Sequence, residues 1–332
     1  MRVLVTGGAG YVGSVSVERL LEAGHDVVVL DDLSTGHRGS VPPGARLVRG
    51  SYADRASLAA AFELQGTEAV LHCAARSLVG ESIADPAGYY RANVVGGITL
   101  LDTMRDLGVS RIVLSSTAAV YGVPNDLPIT EDTPLHPVNP YGETKRTLEA
   151  AIAWFGHAYG LRSVCLRYFN VAGATPLNGE DHDPETHLIP NVLRAAIGGT
   201  PVTLFGDDYP TPDGTCIRDY IHVADLADAH LLALAATAPG DPRADGPLVC
   251  NLGNGDGFSV REVLAAAERV VGRPIPHSVG PRRPGDPAVL VASAARAGEV
   301  LRWAPARPDV EGMIASAWAW LEAHPGGYGE AG

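Results

Sequence analysis

The chain opens on a short apolar run, Arg2-Val3-Leu4-Val5-Thr6, that passes at once into a glycine-rich stretch, Gly7-Gly8-Ala9-Gly10-Tyr11-Val12-Gly13. A helical segment from about Val12 to Glu22 follows and is stopped by Gly24. Val27-Val28-Val29-Leu30 is the next uninterrupted apolar run, the pattern of a buried strand, and it ends in Asp31-Asp32. Further strands are predicted at Ala45-Arg46-Leu47-Val48, Ala69-Val70-Leu71-His72-Cys73 and Arg111-Ile112-Val113-Leu114-Ser115. Helical stretches fall between them, including Leu58 to Leu64 and Tyr90 to Leu107. Strands alternating with helices of this length predict an α/β fold with a doubly wound parallel sheet. Beyond Asn170 the alternation is lost and loops become frequent, which puts a boundary near residues 170 to 180. The expected organisation is a first domain over residues 1–175 and a smaller C-terminal mixed α/β substrate domain over 176–332, with segments around 215–230 packing back on the first. A chain of 332 residues exceeds the size at which one core usually stops growing, which agrees with two lobes.

Strand, glycine turn, helix and strand make a βαβ unit of the Rossmann type, the context in which a glycine motif is informative. Gly7, Gly10 and Gly13 have the spacing G-x-x-G-x-x-G. Missing side chains there permit a tight turn, close approach of a pyrophosphate and packing of the helix on the strand. The helix N-terminus, at Tyr11 and Val12, offers N–H groups to phosphate charge. Asp31, eighteen residues after Gly13, is placed to accept hydrogen bonds from an adenosine ribose. A carboxylate disfavours a 2′-phosphate, so NAD is expected over NADP, with His37 and Arg38 nearby as the counter-argument. Ligands of such sheets bind at the carboxyl ends of strands, which singles out Ala74-Ala75 and Ser115-Ser116-Thr117. Asn93, early in its helix, fits a helix surface or the cofactor side equally well by spacing.

Tyr141 and Lys145, four residues apart in Tyr141-Gly142-Glu143-Thr144-Lys145, share one face of a predicted helix. A phenol is a poor base at neutral pH, and an adjacent ammonium is expected to bring its pKa down. Alone, such a pair is more often an incidental surface feature. Thr117, a hydroxyl at a strand end twenty-four residues earlier, makes the pair informative.

A formal net charge of -13 excludes the basic excess that nucleic-acid binding requires. An anionic substrate must therefore be met by local donors and a few arginines. The four cysteines, Cys73, Cys165, Cys216 and Cys250, lie far apart without C-x-x-C spacing, as expected of buried thiols in a reducing compartment. No uncharged run reaches the roughly 18 residues of a membrane span, and no signal peptide is evident at Met1-Arg2. A cytoplasmic location is the expectation. Glu180-Asp181-His182-Asp183-Pro184-Glu185-Thr186-His187 interleaves two histidines with carboxylates. No predicted helix or hairpin aims them, so a solvated loop and no metal are expected.

Glycine turn, strand-end hydroxyl and Tyr-x-x-x-Lys in this order resemble the short-chain dehydrogenase/reductase superfamily, and the length resembles its extended branch. The segments Val3 to Ser14, Leu30 to Gly36, Val79 to Ser82, Ser115 to Gly122 and Asn139 to Gly142 resemble those of the UDP-glucose 4-epimerase family. So do Leu166 to Ala174, Phe205 to Thr215, Arg218 to Ala227, Arg282-Arg283-Pro284-Gly285-Asp286-Pro287-Ala288 and His324 to Tyr328. The resemblance covers essentially the whole chain. It implies an isomerase that uses a retained NAD to oxidise and re-reduce C4 of a UDP-sugar. Thr117, Tyr141 and Lys145 would be catalytic, with Tyr141 as the base. Gly7, Gly10, Tyr11, Val12, Gly13, Asp31, Asp32, Ala74, Asn93, Ser115, Tyr141, Lys145 and Phe169 would face the cofactor. Thr117, Asn170, His187, Leu188, Phe205, Arg218, Arg283 and Asp286 would face the substrate, the arginines at its diphosphate and Asp286 at the uridine ribose. A homodimer is implied, with no nucleic acid or membrane as partner.

Several positions depart from the family pattern. Thr117 stands where serine is commoner, and His187 where an asparagine usually meets the substrate. Ser51 replaces the carboxylate that usually holds the adenine amine, a loss that Asp54 is a candidate to repair. Ser77, beside Arg76, replaces a lysine near the nicotinamide ribose, and Val15 a common histidine. Ala118-Ala119 lack the acid pair of a 4,6-dehydratase. A 4-epimerase of UDP-N-acetylhexosamines, UDP-pentoses or UDP-uronates stays open, because Leu290 falls where some members carry a larger tyrosine. A cofactor-binding sensor without catalysis is the remote alternative.

Overall fold

Both faces of a seven-stranded parallel sheet are buried, which is why its strands read as unbroken apolar runs rather than alternating ones. The structure, a computed structural model, describes residues 1–329 apart from Gln65, Pro284 and Gly285. Its strands are β1 (Arg2–Thr6), β2 (Asp26–Asp31), β3 (Arg46–Arg49), β4 (Ala69–His72), β5 (Arg111–Thr117), β6 (Arg162–Tyr168), β7 (Asn170–Ala172), β8 (Val202–Phe205), β9 (Ile217–His222), β10 (Leu248–Leu252), β11 (Gly257–Ser259), β12 (His277–Gly280) and β13 (Val289–Leu290). The large sheet has the order β3-β2-β1-β4-β5-β6-β10. Val3, Val5, Val27, Val29 and Val113 face the helices Tyr11–Glu22 and Val223–Ala236. Leu4, Val28, Leu30, Ile112 and Leu114 face Arg55–Glu63, Gly96–Asp106 and Pro140–Tyr159 on the other side.

The predicted helix over residues 90–107 is two pieces, a π-helical turn at Tyr90–Val95 and an α-helix over Gly96–Asp106. Asn93 lies in the wider turn and is 2% exposed. The helix Pro140–Tyr159 starts where the sequence marks it. The Asn139 side chain accepts the N–H of Gly142 at 2.8 Å, Pro140 takes the first turn, and Gly160 ends the helix at φ 72°.

The second lobe has its own core, built from Ile189, Val192 and Leu193 of the helix Leu188–Ala196, Val263 of Val260–Val271, and Met313 and Ile314 of Val310–Ala323. β9 pairs with β7 and β13 in parallel and with β11 antiparallel. After β9 the chain returns to the first lobe: Val223–Ala236 packs on Tyr11–Glu22, and β10 adds the outer strand beside β6. That return reaches residue 252, beyond the segment around 215–230. Asp219, fully buried, joins the second lobe's loops by accepting N–H groups from Asn254 (2.8 Å), Gly255 (3.1 Å) and Ala292 (3.0 Å).

Three histidines are sealed inside. His72 lies 2.7 Å from the Thr6 hydroxyl, His230 lies 3.0 Å from that of Ser16, and His222 caps the helix Val223–Ala236. Burial pushes His72 and His230 down to about 3, with the Lys145 charge adding to the effect at His72. Burial and then Arg307 push His222 down to about 4. The unfolded chain protonates such rings near 6.5 while the folded chain keeps them neutral, so it binds more protons below that pH. Stability is thus fully present above about 6.5 and lost as pH falls toward 3 to 4, at up to about 1.4 kcal/mol per pH unit for each ring. Urea denaturation between pH 7 and pH 5 is expected to show this loss, with a shallower slope for His230→Gln. A flat profile would contradict it.

Candidate active site

The strand order reverses between β1 and β4, and the glycine turn lies at that reversal. A side chain on Gly7 (φ 72°) would stand 2.5 Å from the Ala74 nitrogen, and one on Gly13 would stand 2.0 Å from the Gly7 carbonyl oxygen. A Cβ on Gly10 would meet only that same oxygen, at 3.5 Å, so its outer side is open to an approaching group. Among the described residues no protein acceptor takes the N–H of Tyr11 or Val12, which open the helix. Asp31, 9% exposed, closes the other edge. Its carboxylate accepts the Ala9 N–H at 3.0 Å and the Leu33 N–H at 2.9 Å. Burial pushes this carboxyl up, and the two N–H groups oppose the shift. Each oxygen keeps a further lone pair for a ribose hydroxyl. Asp32 is exposed and turns to the Ser34 N–H at 2.9 Å. An open glycine cradle, unclaimed helix N–H groups and an oriented carboxylate fit a dinucleotide.

The catalytic candidates converge at the end of β5. Thr117 is the last residue of that strand, and its hydroxyl oxygen accepts the Ala119 N–H at 3.1 Å. Its own proton remains to be donated, and the Tyr141 phenol is the group whose pKa it draws down. Lys145 lies one helical turn further on, 3% exposed, with Nζ donating to the Ser115 carbonyl at 2.8 Å. Burial pushes the ammonium down to about 8, opposed by Cys73, Glu149 and Cys165. Burial raises the Tyr141 phenol and the Thr117 contact pulls it back, while the Lys145 ammonium lies one helical turn away on the Ser115 carbonyl. Ser115 itself donates to Cys73 Sγ at 3.3 Å and faces His230 at 3.4 Å.

Beneath these groups lies a buried network that the sequence reading missed. Arg167 meets Glu149 at 2.5 Å with both side chains 6% exposed. Ser116 donates to the same carboxylate, Arg167 donates to the Tyr121 hydroxyl at 2.9 Å, and that hydroxyl donates to Asn251 at 2.7 Å. One signal was available: Glu149 lies four residues beyond Lys145 and eight beyond Tyr141, on the same helix face.

Other assignments change with the partners seen. The Asn93 amide bonds the Arg76 backbone N–H and carbonyl (both 2.9 Å) and the Thr144 hydroxyl (3.0 Å). It ties the loop after β4 to the helix Pro140–Tyr159. Asp54 does not repair the Ser51 change, because its carboxylate caps the helix Arg55–Glu63. Arg76 is held by Asp85 at 2.9 Å and Glu81 at 2.5 Å. His187 turns its Nδ1 to Glu180 at 2.6 Å and Glu185 at 3.1 Å rather than standing free for a substrate. On the substrate side, Arg218 pairs with Asp286 at 2.5 Å, and the Arg283 guanidinium stacks 3.9 Å over the exposed Phe205 ring. Pro284 and Gly285 of that motif lie outside the described residues. Asn170 is exposed at the start of β7, Leu188 opens the helix Leu188–Ala196, and Phe169 packs with Val120, Tyr121 and Leu290.

Comparison with known proteins gives one consistent result. The sequence profile described as the NAD dependent epimerase/dehydratase family matches residues 3–253. A UDP-glucose 4-epimerase from Lacticaseibacillus casei is 49% identical over 99% of both chains. A crystal structure of a UDP-glucose 4-epimerase superposes with a TM-score of 0.95 at 47% identity, covering 99% of this chain and all of the other. The Bifidobacterium longum UDP-glucose 4-epimerase, solved in complex with NAD+ and UDP, superposes with a TM-score of 0.93 at 38% identity over 98% of this chain and 100% of that one. With a matched profile over most of its length and relatives this similar end to end, the chain belongs to the NAD dependent epimerase/dehydratase family.

Proposed function

We propose that this chain is a UDP-glucose 4-epimerase, interconverting UDP-galactose and UDP-glucose through a 4-keto sugar with NAD retained. The observation that carries the reading is the convergence of Thr117, Tyr141 and Lys145 on the carboxyl end of β5, beside the glycine cradle. The shared name of its full-length relatives supports the choice of sugar nucleotide. NAD, when bound, supplies a reversible hydride acceptor for C4 of the sugar.

The chain's own groups manage the proton and hold the substrate. Tyr141 acts in its phenolate form, taking the O4 proton to become the phenol and later returning that proton to the opposite epimer, with the Thr117 hydroxyl favouring the ionised oxygen. Lys145, a cation at neutral pH, adds positive charge one helical turn from the phenol. Arg218 and Arg283 are the candidates for the diphosphate, where planar guanidinium donors match phosphate oxygens. Asp286, already paired to Arg218, brings recognition of the ribose hydroxyls next to that of the diphosphate.

One observation favours a wider substrate range. Leu290, partly buried against the cluster of Val120, Tyr121 and Ile129, is smaller than the tyrosine that some family members carry there, which would leave room for an N-acetyl group. UDP-N-acetylhexosamines are therefore included as second substrates. Four free thiols, three of them buried, support a reducing cytoplasmic setting, and a homodimer is expected by size-exclusion chromatography with light scattering.

Purified protein is expected to interconvert both UDP-hexoses without added reductant, and no turnover of these or their N-acetyl forms with NAD bound would refute the reading. Tyr141→Phe should lower kcat by about 10³-fold while NAD stays bound. Gly142→Ala tests the geometry, since its Cβ would fall 2.4 Å from the Ala119 carbonyl oxygen and push the helix from Thr117. A loss of about 100-fold in kcat with KM little changed is expected; an unchanged kcat would show that this contact does not set the Tyr141 position.

A further inference from the structure

We propose that Glu180, His182, Glu185 and His187 form a closed Zn2+ site that pins the loop leading into the helix Leu188–Ala196. One ligand-capable atom from each residue lies within 4.8 Å of all the others. Glu180 Oε1 is 3.2 Å from His182 Nδ1 and 2.6 Å from His187 Nδ1. Glu185 is 3.1 Å from His187 Nδ1 through Oε1 and 3.9 Å from His182 Nδ1 through Oε2. A tetrahedral zinc with bonds of about 2.0–2.2 Å sets its ligand atoms about 3.3 Å apart. The four separations straddle that value, so small side-chain rotations close the shell.

Burial supplies the independent argument. The Glu185 and Glu180 side chains are 1% and 8% exposed. Glu185 Oε1 accepts the N–H groups of Thr186 (2.7 Å) and His187 (2.8 Å), while Oε2 is buried with no hydrogen-bond partner and faces His182. A buried carboxylate oxygen without a partner is costly. Among the described residues no lysine or arginine lies within ion-pair distance of either carboxylate. The nearby Arg194 goes to Asp181 and to the His182 carbonyl instead. Without a metal, and against the pull of burial, Glu180 and Glu185 hold the His187 ring protonated, raising it to about 10. A divalent ion displaces that proton, and two carboxylates with two neutral imidazoles then cancel its charge. This nitrogen and oxygen set suits zinc, and four protein ligands leave no position for a reactive water, so the role is structural. The site also ties the lobes together, because the His182 ring meets the edge of Tyr11 in the glycine turn at 6.4 Å and Asp181 holds His37 and Tyr328.

The test uses tag-free full-length protein. Wild-type and Glu185→Gln chains are stripped with a chelator, then titrated with buffered Zn2+ or Co2+. Metal content is measured by mass spectrometry, and bound NAD checks that the variant is folded. One zinc per chain is expected for the wild type, with four-coordinate cobalt bands in the visible spectrum and a Tm raised by zinc. Glu185→Gln should bind at least about tenfold more weakly and lose the zinc-dependent rise in Tm. Should the stripped wild type take up no zinc, or the variant bind as tightly, the site is overturned. Neither result bears on epimerase activity, which is measured separately.

Discussion

The close approach of the helix Pro140–Tyr159 to the carboxyl end of β5 is the constraint on which the site depends. It is possible because position 142 has no side chain, so the helix backbone can press against the turn that follows Thr117. Once that distance is set, three consecutive strand residues each meet a successive turn of the helix. Thr117 meets Tyr141, the Ser115 carbonyl meets Lys145, and the Ser116 hydroxyl meets Glu149. Lys145 and Arg167 bring two positive charges inside, and Glu149 cancels one of them. Removing Glu149 would leave Arg167 buried and uncompensated, which is far more costly than the pair itself is stabilising.

On the proposed reading, cofactor and substrate are met by different physical means. The first lobe offers backbone: a glycine cradle, helix N–H groups and one oriented carboxylate. The second lobe offers side chains, and in a chain of net charge -13 the three arginines of its substrate motifs each have a local partner. Arg218 lies against Asp286, Arg282 against Asp208, and Arg283 over Phe205. Such partners orient a guanidinium before a phosphate reaches it, reducing what must be ordered on binding.

What the sequence made legible follows the range of the interactions concerned. The glycine turn, Asp31 and the Tyr141–Lys145 pair are fixed by neighbours within one βαβ unit or one helix turn, so their pattern was readable. The Arg167–Glu149 network was not, because its meaning depends on Tyr121 and Asn251, brought in from distant segments by β5 and β10. Asp54 misled for the opposite reason. Its local role as a helix cap was written three residues away at Ser57, whose N–H it accepts at 2.9 Å. His187 shows both effects, since its residue type fitted a substrate contact while its environment, two buried carboxylates, became visible only in the folded loop.

That loop also explains how two lobes with separate cores hold one geometry. The Tyr11 hydroxyl donates to the Gly173 carbonyl at 2.5 Å, so the helix that the proposed reading places at the cofactor's phosphates is bonded to the strand exit that leads into the second lobe. Thr175 donates to Glu18 at 2.8 Å on the same helix, and the Tyr328 hydroxyl donates to the Gly179 carbonyl at 2.9 Å from the far end of the chain. A nicotinamide that gives back the hydride it took must meet the same carbon on both faces without leaving its place. Bonding the cofactor turn to the substrate loop, rather than leaving a hinge between them, lets the sugar turn over while both walls of its site stay still.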